Sequence, residues 1–473
     1  MQRTGIFFGI LFFLLTCLYQ IYAQDFSWAH GITTHTTGTA AASDPYGNCY
    51  ITGYFSGTAV FGTVSLTTAG SIDMFVAKYA SDGTLLWARR GGGSSDDIGN
   101  AICTDALGNC YVTGKFAGTA TFGSSTVTSL GNDEVFLVKY QSNGSVEWAK
   151  SGGGTSSDYG NGCTIDAAGC CIVTGSFLGS ATFGSVTLTA PNSSTDVFLV
   201  RYSPAGELLW ATRGGGIWTD LGNAVSADKY GFSYLTGSFE NTASFGSLQT
   251  TATTLDYPDV FIACYDSQGT PQWLQKIGGT GLEKVTGICA GIPGKVAVTG
   301  TFVQPITAGL TQLTSAGGLD IYLCQYDSSG SLTWAQRAGG TDLDASYALC
   351  NDQLGNYFLA GHFSLTANFG TIQLTTCEAG YHSDLFVASY FVTGQVRNAI
   401  PAGGSFEDIA RGVASDGMGN AFITGSHQSA TFGIFQQIPS YGFMARTGSS
   451  PLQGPANLTC QHIPGRIRLT WTD

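Results

Sequence analysis

Short runs in which apolar and polar residues alternate recur along most of the chain at a nearly constant spacing. The clearest marker is a glycine that follows an apolar pair and a threonine or small residue, and it recurs at Gly53, Gly114, Gly175, Gly237, Gly300, Gly361 and Gly425. Successive markers lie 61, 61, 62, 63, 61 and 64 residues apart. This period is longer than the ~40 to 50 residues of familiar propeller repeats, but it accommodates four strands and a long loop. The pattern therefore predicts seven copies of one unit.

Within one unit the alternation has the period of a β-strand. In residues 99–154, β-branched and aromatic residues fill 100–104, 110–114, 135–140 and 146–150, and Gly, Asn, Asp or Ser clusters bound each run. The turn Asp105-Ala-Leu-Gly108 joins the first two runs, because Asp bonds its own backbone and Gly tolerates positive φ. A loop of about twenty residues follows the second run and usually carries Phe-Gly. Each unit is therefore predicted to be a four-stranded antiparallel blade.

The two ends of the chain complement each other. A tryptophan marks the last strand of a unit at Trp28, Trp87, Trp148, Trp210, Trp273 and Trp334, and the sixth unit has Asn398 there. The seventh unit has three strands and then enters Gly448-Ser-Ser-Pro451, whereas Trp28 precedes the first unit. Pairing the N-terminal strand with the last blade would remove an open sheet edge. The predicted fold is an all-β, seven-bladed β-propeller over 24–447, with its last blade closed by the N-terminal strand.

The repeat resembles a known family. Its motifs are Asp-x-x-Gly-Asn-x-Tyr-x-Thr-Gly, as in 105–114, then Asp-x-Phe-x-x-Lys-Tyr, Gly-x-x-x-Trp and Gly-Gly. They resemble the SBBP-type bacterial β-propeller repeats of secreted and cell-surface proteins, over about residues 25–447. The resemblance implies a propeller fold and says little about function, because blade packing defines these motifs.

Residues outside the repeats predict export and a second domain. Residues 1–23 combine Arg3, a short apolar core and a small residue at Ala23, as in a signal peptide. No other segment is apolar enough to cross a membrane. A linker is expected at 448–454. The alternation of Ile467, Leu469 and Trp471 then looks like a strand of a fibronectin type III domain. Such a domain needs ~100 residues, so 455–473 is interpreted as its truncated start, and a disordered tail is the alternative.

Composition narrows the classes of partner. The net charge is −13 and only 11% of residues are charged. Nucleic acid and anionic membranes are therefore not expected as partners, because this chain offers no basic surface for either of them to bind.

Cysteines offer one candidate bond. Most of them alternate with apolar residues at equivalent repeat positions, which indicates buried apolar sites. Cys103 and Cys110 are expected to face each other across the Asp105 turn, so a disulfide between them is considered alongside two free thiols.

The sequence contains no Gly-x-Ser-x-Gly, His-Glu-x-x-His or phosphate-loop motif. The six histidines occupy unrelated repeat positions and are interpreted as surface or strand residues. Trp218 breaks the repeat in a glycine-rich loop, where it either contacts a ligand or packs its own loop.

A carboxylate recurs at one position of the glycine-rich loops, as Asp97, Asp158, Asp220, Glu283, Asp344 and Asp408, while the first unit has Thr36. Because these loops lead into the innermost strands, the carboxylates are expected to circle one mouth of the channel. In one interpretation each caps its own loop. In the other, several bind a Ca²⁺ ion, which prefers six to eight oxygen ligands.

Three functional classes fit the sequence. The favoured ones are a secreted or cell-surface recognition or adhesion module for glycan or protein ligands, and a structural scaffold. In both, a monomeric propeller sits within a longer modular protein. The alternative is an extracellular carbohydrate-active lyase or hydrolase, which needs paired carboxylates, or a His and a Tyr, breaking the repeat at one pocket.

Overall fold

The structure is a computed structural model that describes residues 24–33, 35–352, 354–377, 382–428, 430–433, 435–438, 441–449, 459–463 and 466–470. Within these ranges the chain is all-β apart from a 3₁₀ turn at Pro191–Ser193. Its long strands form seven antiparallel four-stranded sheets, the blades of a β-propeller. The predicted signal peptide lies outside the described residues.

The strands of each blade run from the centre of the ring outwards. Blade 1 contains Thr36–Ser43, Cys49–Phe55, Asp73–Tyr79 and Leu85–Gly93. Blade 2 contains Ile98–Thr104, Cys110–Phe122, Ser125–Tyr140 and Val146–Gly153. Blade 3 contains Asp158–Ile165, Cys171–Leu178, Thr195–Tyr202 and Leu208–Gly215. Blades 4 and 5 contain Asp220–Ala227, Ser233–Phe239, Asp259–Tyr265, Pro271–Gly279; and Glu283–Cys289, Lys295–Phe302, Asp320–Asp327, Leu332–Ala338. Blades 6 and 7 contain Ala345–Asn351, Asn356–Ser364, Ser383–Phe391, Val396–Ala402; and Ile409–Ser415, Ala421–Ser426, Gly442–Ser449, Gln24–Ile32.

The N-terminal strand closes the ring, as predicted. Gln24–Ile32 pairs antiparallel with Gly442–Ser449 of blade 7. The indole Nε1 of Trp28 donates to the Ser81 carbonyl of blade 1 at 3.0 Å, and Trp87 makes the equivalent bond to Ser142 of blade 2, also at 3.0 Å. Neighbouring inner strands contact each other around the ring, including those of blades 7 and 1, and all seven line a central channel. The last blade is therefore a normal blade assembled from both ends of the chain.

Apolar layers between neighbouring blades hold the ring together. Between blades 7 and 1, Phe422 and Met444 pack in one buried cluster with Ile51 and Phe75, and Trp28 covers its edge. Each residue in such a layer is removed from water by the next blade, so no blade buries its own faces alone.

The loop between the second and third strands forms a short hairpin, which was not predicted. In blade 3 this hairpin consists of Ser180–Phe183 and Val186–Thr189, and it pairs with the outer strand of blade 2. The ring of Phe183 in the Phe-Gly motif packs against Phe198 with centroids 4.6 Å apart and planes 41° apart, and it lies over Gly152, where a Cβ would be 2.3 Å from the ring. The motif therefore joins neighbouring blades. Equivalent hairpins are Thr58–Phe61 with Val64–Thr67, Thr242–Phe245 with Leu248–Thr251, Ile306–Ala308 with Thr311–Leu313, Thr366–Phe369 with Ile372–Thr375, and Ala430–Phe432 with Phe435–Ile438.

Near the C-terminus, Thr459–Ile463 and Arg466–Thr470 pair as an antiparallel hairpin. The fibronectin type III interpretation stays a prediction, and Trp471 lies outside the described residues. Among the residues described, no helix is long and apolar enough to span a bilayer.

Candidate functional site

The six repeat-position carboxylates are buried in their own loops. In five blades the carboxylate accepts the backbone N–H of the glycine four residues earlier, at 2.6–2.9 Å, in the pairs Gly93/Asp97, Gly154/Asp158, Gly216/Asp220, Gly340/Asp344 and Gly404/Asp408. The second oxygen of Asp158 also accepts the N–H of Leu178 at 3.2 Å. Glu283 lies against Gly279 in the same place. All six are buried, and none of them is among the described residues that line the channel between the inner strands.

A second buried acid, which was not predicted, faces each of the six. It comes from the third strand of the preceding blade, as Asp73, Glu134, Asp196, Asp259, Asp320 and Asp384. The two acids of a pair flank one glycine. A Cβ on Gly92 would lie 2.7 Å from Asp97 Oδ2 and 2.8 Å from Asp73 Oδ1, and the φ of Gly92 is 143°. The Asp-x-Phe motif was the available signal for these acids, but strand spacing alone does not show which acids meet across two blades.

The two acids of each pair lie in different charge environments. The acid on the third strand usually has a cation on the outer strand, such as Arg90 Nη1 at 2.5 Å from Asp73 and Arg337 Nη1 at 3.0 Å from Asp320. The acid on the inner strand has backbone donors instead. Burial, with a further contribution from the facing acid, raises the pKa of these inner-strand carboxyls to about 7 for Asp97, 6 for Asp158, 8 for Asp220, 8 for Glu283, 7 for Asp344 and 7 for Asp408.

The six inner-strand carboxylates are distributed over six loops around the ring. The part of the chain that the structure describes contains no group of three or more His, Cys, Asp or Glu residues arranged to hold a metal ion. Loop capping accounts for the observed bonds of five of them. The calcium hypothesis stays a prediction that thermal melting can test.

The junction between blades 7 and 1 lacks both acids. In blade 1, Thr36 pairs with Phe55, and in blade 3, Asp158 pairs with Phe177. Thr36 therefore occupies the position of the inner-strand acid. Tyr441 precedes the third strand of blade 7 at the position of the second acid, and its carbonyl accepts the N–H of His427 at 2.8 Å. His427 itself replaces a phenylalanine that is buried in the other six blades, as Phe55, Phe116, Phe177, Phe239, Phe302 and Phe363. Three repeat-wide positions therefore change together at one place.

A cavity of about 330 Å³ lies at this altered junction. Its lining comes from blade 1, with Thr37, Tyr54 and Ser56 beside Thr36 and His35, and from blade 7, with Glu407, Ser426, His427, Gln428 and Tyr441. The rings of His35 and Tyr441 stack with centroids 5.1 Å apart and planes 12° apart. His35 is held at φ 39°, in the left-handed region that non-glycine residues seldom adopt.

The cavity has a mixed polar and apolar lining and is weakly charged. Among the described residues that line it, Glu407 is the single acid and there is no lysine or arginine. His427 is buried, and its Nδ1 accepts the N–H of Ala430 at 3.1 Å. Burial lowers the pKa of His427 to about 4, so its imidazole is neutral at pH 7. Hydroxyl, amide and aromatic groups therefore dominate the surface that a ligand would meet.

The remaining predicted site residues lie elsewhere. Trp218 is 51% exposed on the loop between blades 3 and 4, and it does not line the cavity. Its role as a ligand contact stays a prediction.

Cys103 and Cys110 do not face each other. Cys103 stands opposite Tyr111 and Cys110 stands opposite Thr104, so the two side chains point to opposite faces of blade 2. Both are free thiols, and they belong to different apolar layers. The expectation that the two cysteines face each other is wrong, because the register differs by one residue from the one assumed, and the structure agrees with the free-thiol alternative.

Comparisons with known proteins bear on the fold. No known family profile matches the chain. An uncharacterized WD repeat-containing protein of Acanthamoeba polyphaga mimivirus is 24% identical over 442 residues, covering 73% of this chain and 31% of that protein. The chain thus spans about a third of the curated relative that it matches.

Solved structures with a similar arrangement include two fungal proteins. The WD40 domain of Neurospora crassa Pan2 has a TM-score of 0.46 at 9% identity, covering 88% of this chain and 91% of that one. Sqt1 from Chaetomium thermophilum has a TM-score of 0.32 at 9% identity, covering 84% and 97%.

Proposed function

We propose that this chain is a secreted or cell-surface recognition module that binds a glycan or a protein at the cavity between blades 7 and 1. The observation that carries the proposal is the simultaneous change of three repeat positions, at Thr36, His427 and Tyr441, where that cavity lies. A residue that every blade shares contributes to the structure of the blade, whereas a local departure that opens a concave site with a few polar groups is typical of ligand binding.

The same proposal includes the setting of the module. The signal-peptide pattern of residues 1–23 supports export, and the resemblance to SBBP-type repeats supports a place on or outside the cell surface. The start of a fibronectin type III domain after the propeller would make it one part of a modular adhesion or scaffold protein, with the propeller acting as a monomer.

A carbohydrate-active enzyme is the second candidate, because His35, Tyr441 and Glu407 line one cavity and Tyr441 departs from the repeat there. Hydrolysis of a glycosidic bond commonly uses two carboxyl groups, and the described lining supplies one. The geometry therefore favours binding. Incubation with polysaccharides, followed by an assay for new reducing ends, separates the two functions.

The proposed function can be tested with the full chain as a labelled probe on arrays of purified glycans and purified surface proteins. Thr37→Tyr fills the cavity with a side chain that blade 3 already carries at the equivalent position, Tyr159. Leu221→Tyr introduces the same residue at the equivalent position of blade 4 and is the matched control. We expect saturable binding that Thr37→Tyr abolishes and Leu221→Tyr preserves. Binding that survives Thr37→Tyr would contradict the proposed site.

A further inference from the structure

We infer that the cavity between blades 7 and 1 binds an uncharged pyranose unit of a glycan. The inference rests on the proposed recognition function and names the class of ligand for the same site. Charge, hydrogen-bonding groups, ring geometry and cavity size each support it.

The absence of a lysine or arginine from the described lining of the cavity argues against anionic ligands. The described lining contains Glu407 and no lysine or arginine, and the whole chain carries −13. A phosphate, sulfate or uronate would enter without a cation to pair with, and a buried unpaired charge is costly. His427 does not supply that cation, because it is buried and its Nδ1 accepts a backbone N–H.

The polar groups suit a ligand with many hydroxyl groups. Thr37, Ser56 and Ser426 each bring a hydroxyl that donates one hydrogen bond and accepts others, and the amide of Gln428 also does both. These groups come from two different blades: Thr37 and Ser426 lie in strands, and Ser56 and Gln428 lie just beyond strand ends. Neutral donors and acceptors at several points are what a sugar ring with hydroxyls around its edge requires.

The paired rings supply an apolar face. Tyr441 is 43% exposed, and its ring lies nearly parallel to that of His35. The C–H face of a pyranose is flat and apolar, so it can pack on such a ring while its hydroxyls reach the polar wall. His35 is held at φ 39°, and a backbone held in a sparsely populated region is frequent at functional sites.

Size limits the ligand to a small unit. The volume of about 330 Å³ is near the lower end of the ~300–1,000 Å³ typical of ligand pockets. His35, Glu407 and Gln428 are exposed at the rim, so the cavity opens to solvent. One sugar unit would enter, and the rest of the glycan would continue outside.

The test is calorimetric titration of the full chain with single sugars. Glucose, galactose, mannose and N-acetylglucosamine represent neutral pyranoses, glucuronate is the anionic probe and glucosamine the cationic probe. We expect at least one neutral sugar to bind, Thr37→Tyr and Tyr441→Ala to weaken it by at least about tenfold, and Leu221→Tyr to leave it unchanged. Thermal melting of each variant shows that it is folded.

Each outcome decides the inference. Preferential binding of glucuronate or glucosamine would overturn it, as would neutral-sugar binding that Thr37→Tyr does not affect. If no sugar binds while an arrayed protein still binds in a Thr37-dependent way, the inference fails and the proposed recognition function stands. If neither sugars nor arrayed ligands bind, both fail.

Discussion

Thr36 and Tyr441 occupy, at the junction of blades 7 and 1, the two positions that hold buried carboxyl groups at the other six junctions. Elsewhere the paired acids fill the space beside the glycine-rich loop and fix its geometry. At this junction a hydroxyl and a phenol take their place, and the space is open as a cavity. The closure of the ring and the candidate site are therefore the same part of the molecule.

The loop carboxylates should contribute to stability individually. Asp158→Ala removes the acceptor for the N–H groups of Gly154 and Leu178 and leaves buried donors unsatisfied. We expect a loss of about 1–3 kcal/mol in the free energy of unfolding, measured by urea denaturation. Asp96→Ala changes an exposed neighbour of Asp97 and is the control. Equal stability of the two variants would contradict the capping role.

Stability should fall as pH rises from about 6 to 8. The six inner-strand carboxyls have pKa values between about 6 and 8 in the folded protein, above those of unfolded Asp and Glu. The folded state therefore binds more protons than the unfolded state in this window, and its stability is lost as these groups ionise. Melting temperatures across this pH range measure the effect.

Two histidines act in the opposite direction at lower pH. Burial lowers the pKa of His362 and of His427 to about 4, so their contribution is lost as pH falls from about 6.5 towards 4. Above pH 6.5 the change of stability with pH therefore reports the carboxyl groups and not these two histidines. Asp220→Asn keeps a neutral acceptor and should reduce the slope there, because the pKa of Asp220 is about 8. An unchanged slope would contradict this account.

The N-terminal strand should be required for a stable ring. Deleting 24–32 exposes the edge of Gly442–Ser449 and uncovers Phe422 and Met444, so we expect a marked drop in melting temperature. A synthetic peptide of residues 24–32 should restore part of the loss by mass action. Unchanged melting after the deletion would show that the ring closes in another way.

Calcium should have little effect on melting. Since five of the loop carboxylates already accept backbone N–H groups, we expect the same melting temperature in millimolar Ca²⁺ and in excess chelator. A cation that binds the folded ring alone would raise the melting temperature by mass action. Such a rise would support the calcium interpretation of the six residues.

The repeat made the blades predictable, because the period, the Asp turns and the tryptophan strands are all local patterns. Trp28 was also informative, because it marks a last strand with no first three strands before it, while the seventh unit has three strands and no fourth. The hairpins that cross between blades were not predictable, because nothing in the Phe-Gly spacing shows that Phe183 packs over Gly152 of the preceding blade. The expected facing of Cys103 and Cys110 was wrong for a related reason, since a register difference of one residue places the two side chains on opposite faces of the blade.

The sequence identified one part of the site and not the rest. Thr36 stood out as the exception among the loop carboxylates. The substitutions at Tyr441 and His427 are in another blade, more than 390 residues away along the chain. Only ring closure brings these three positions together, so the cavity could not be located before the fold was known.

Hydrogen exchange measured with and without a bound ligand tests the central claim most directly. The ligand would be a glycan or protein selected on the arrays. The account predicts that protection rises in peptides covering 33–37 and 426–441, while the equivalent segments of blades 3 and 4, around Tyr159 and Leu221, exchange at the same rate. Protection confined to the Trp218 loop or to the channel strands would contradict it.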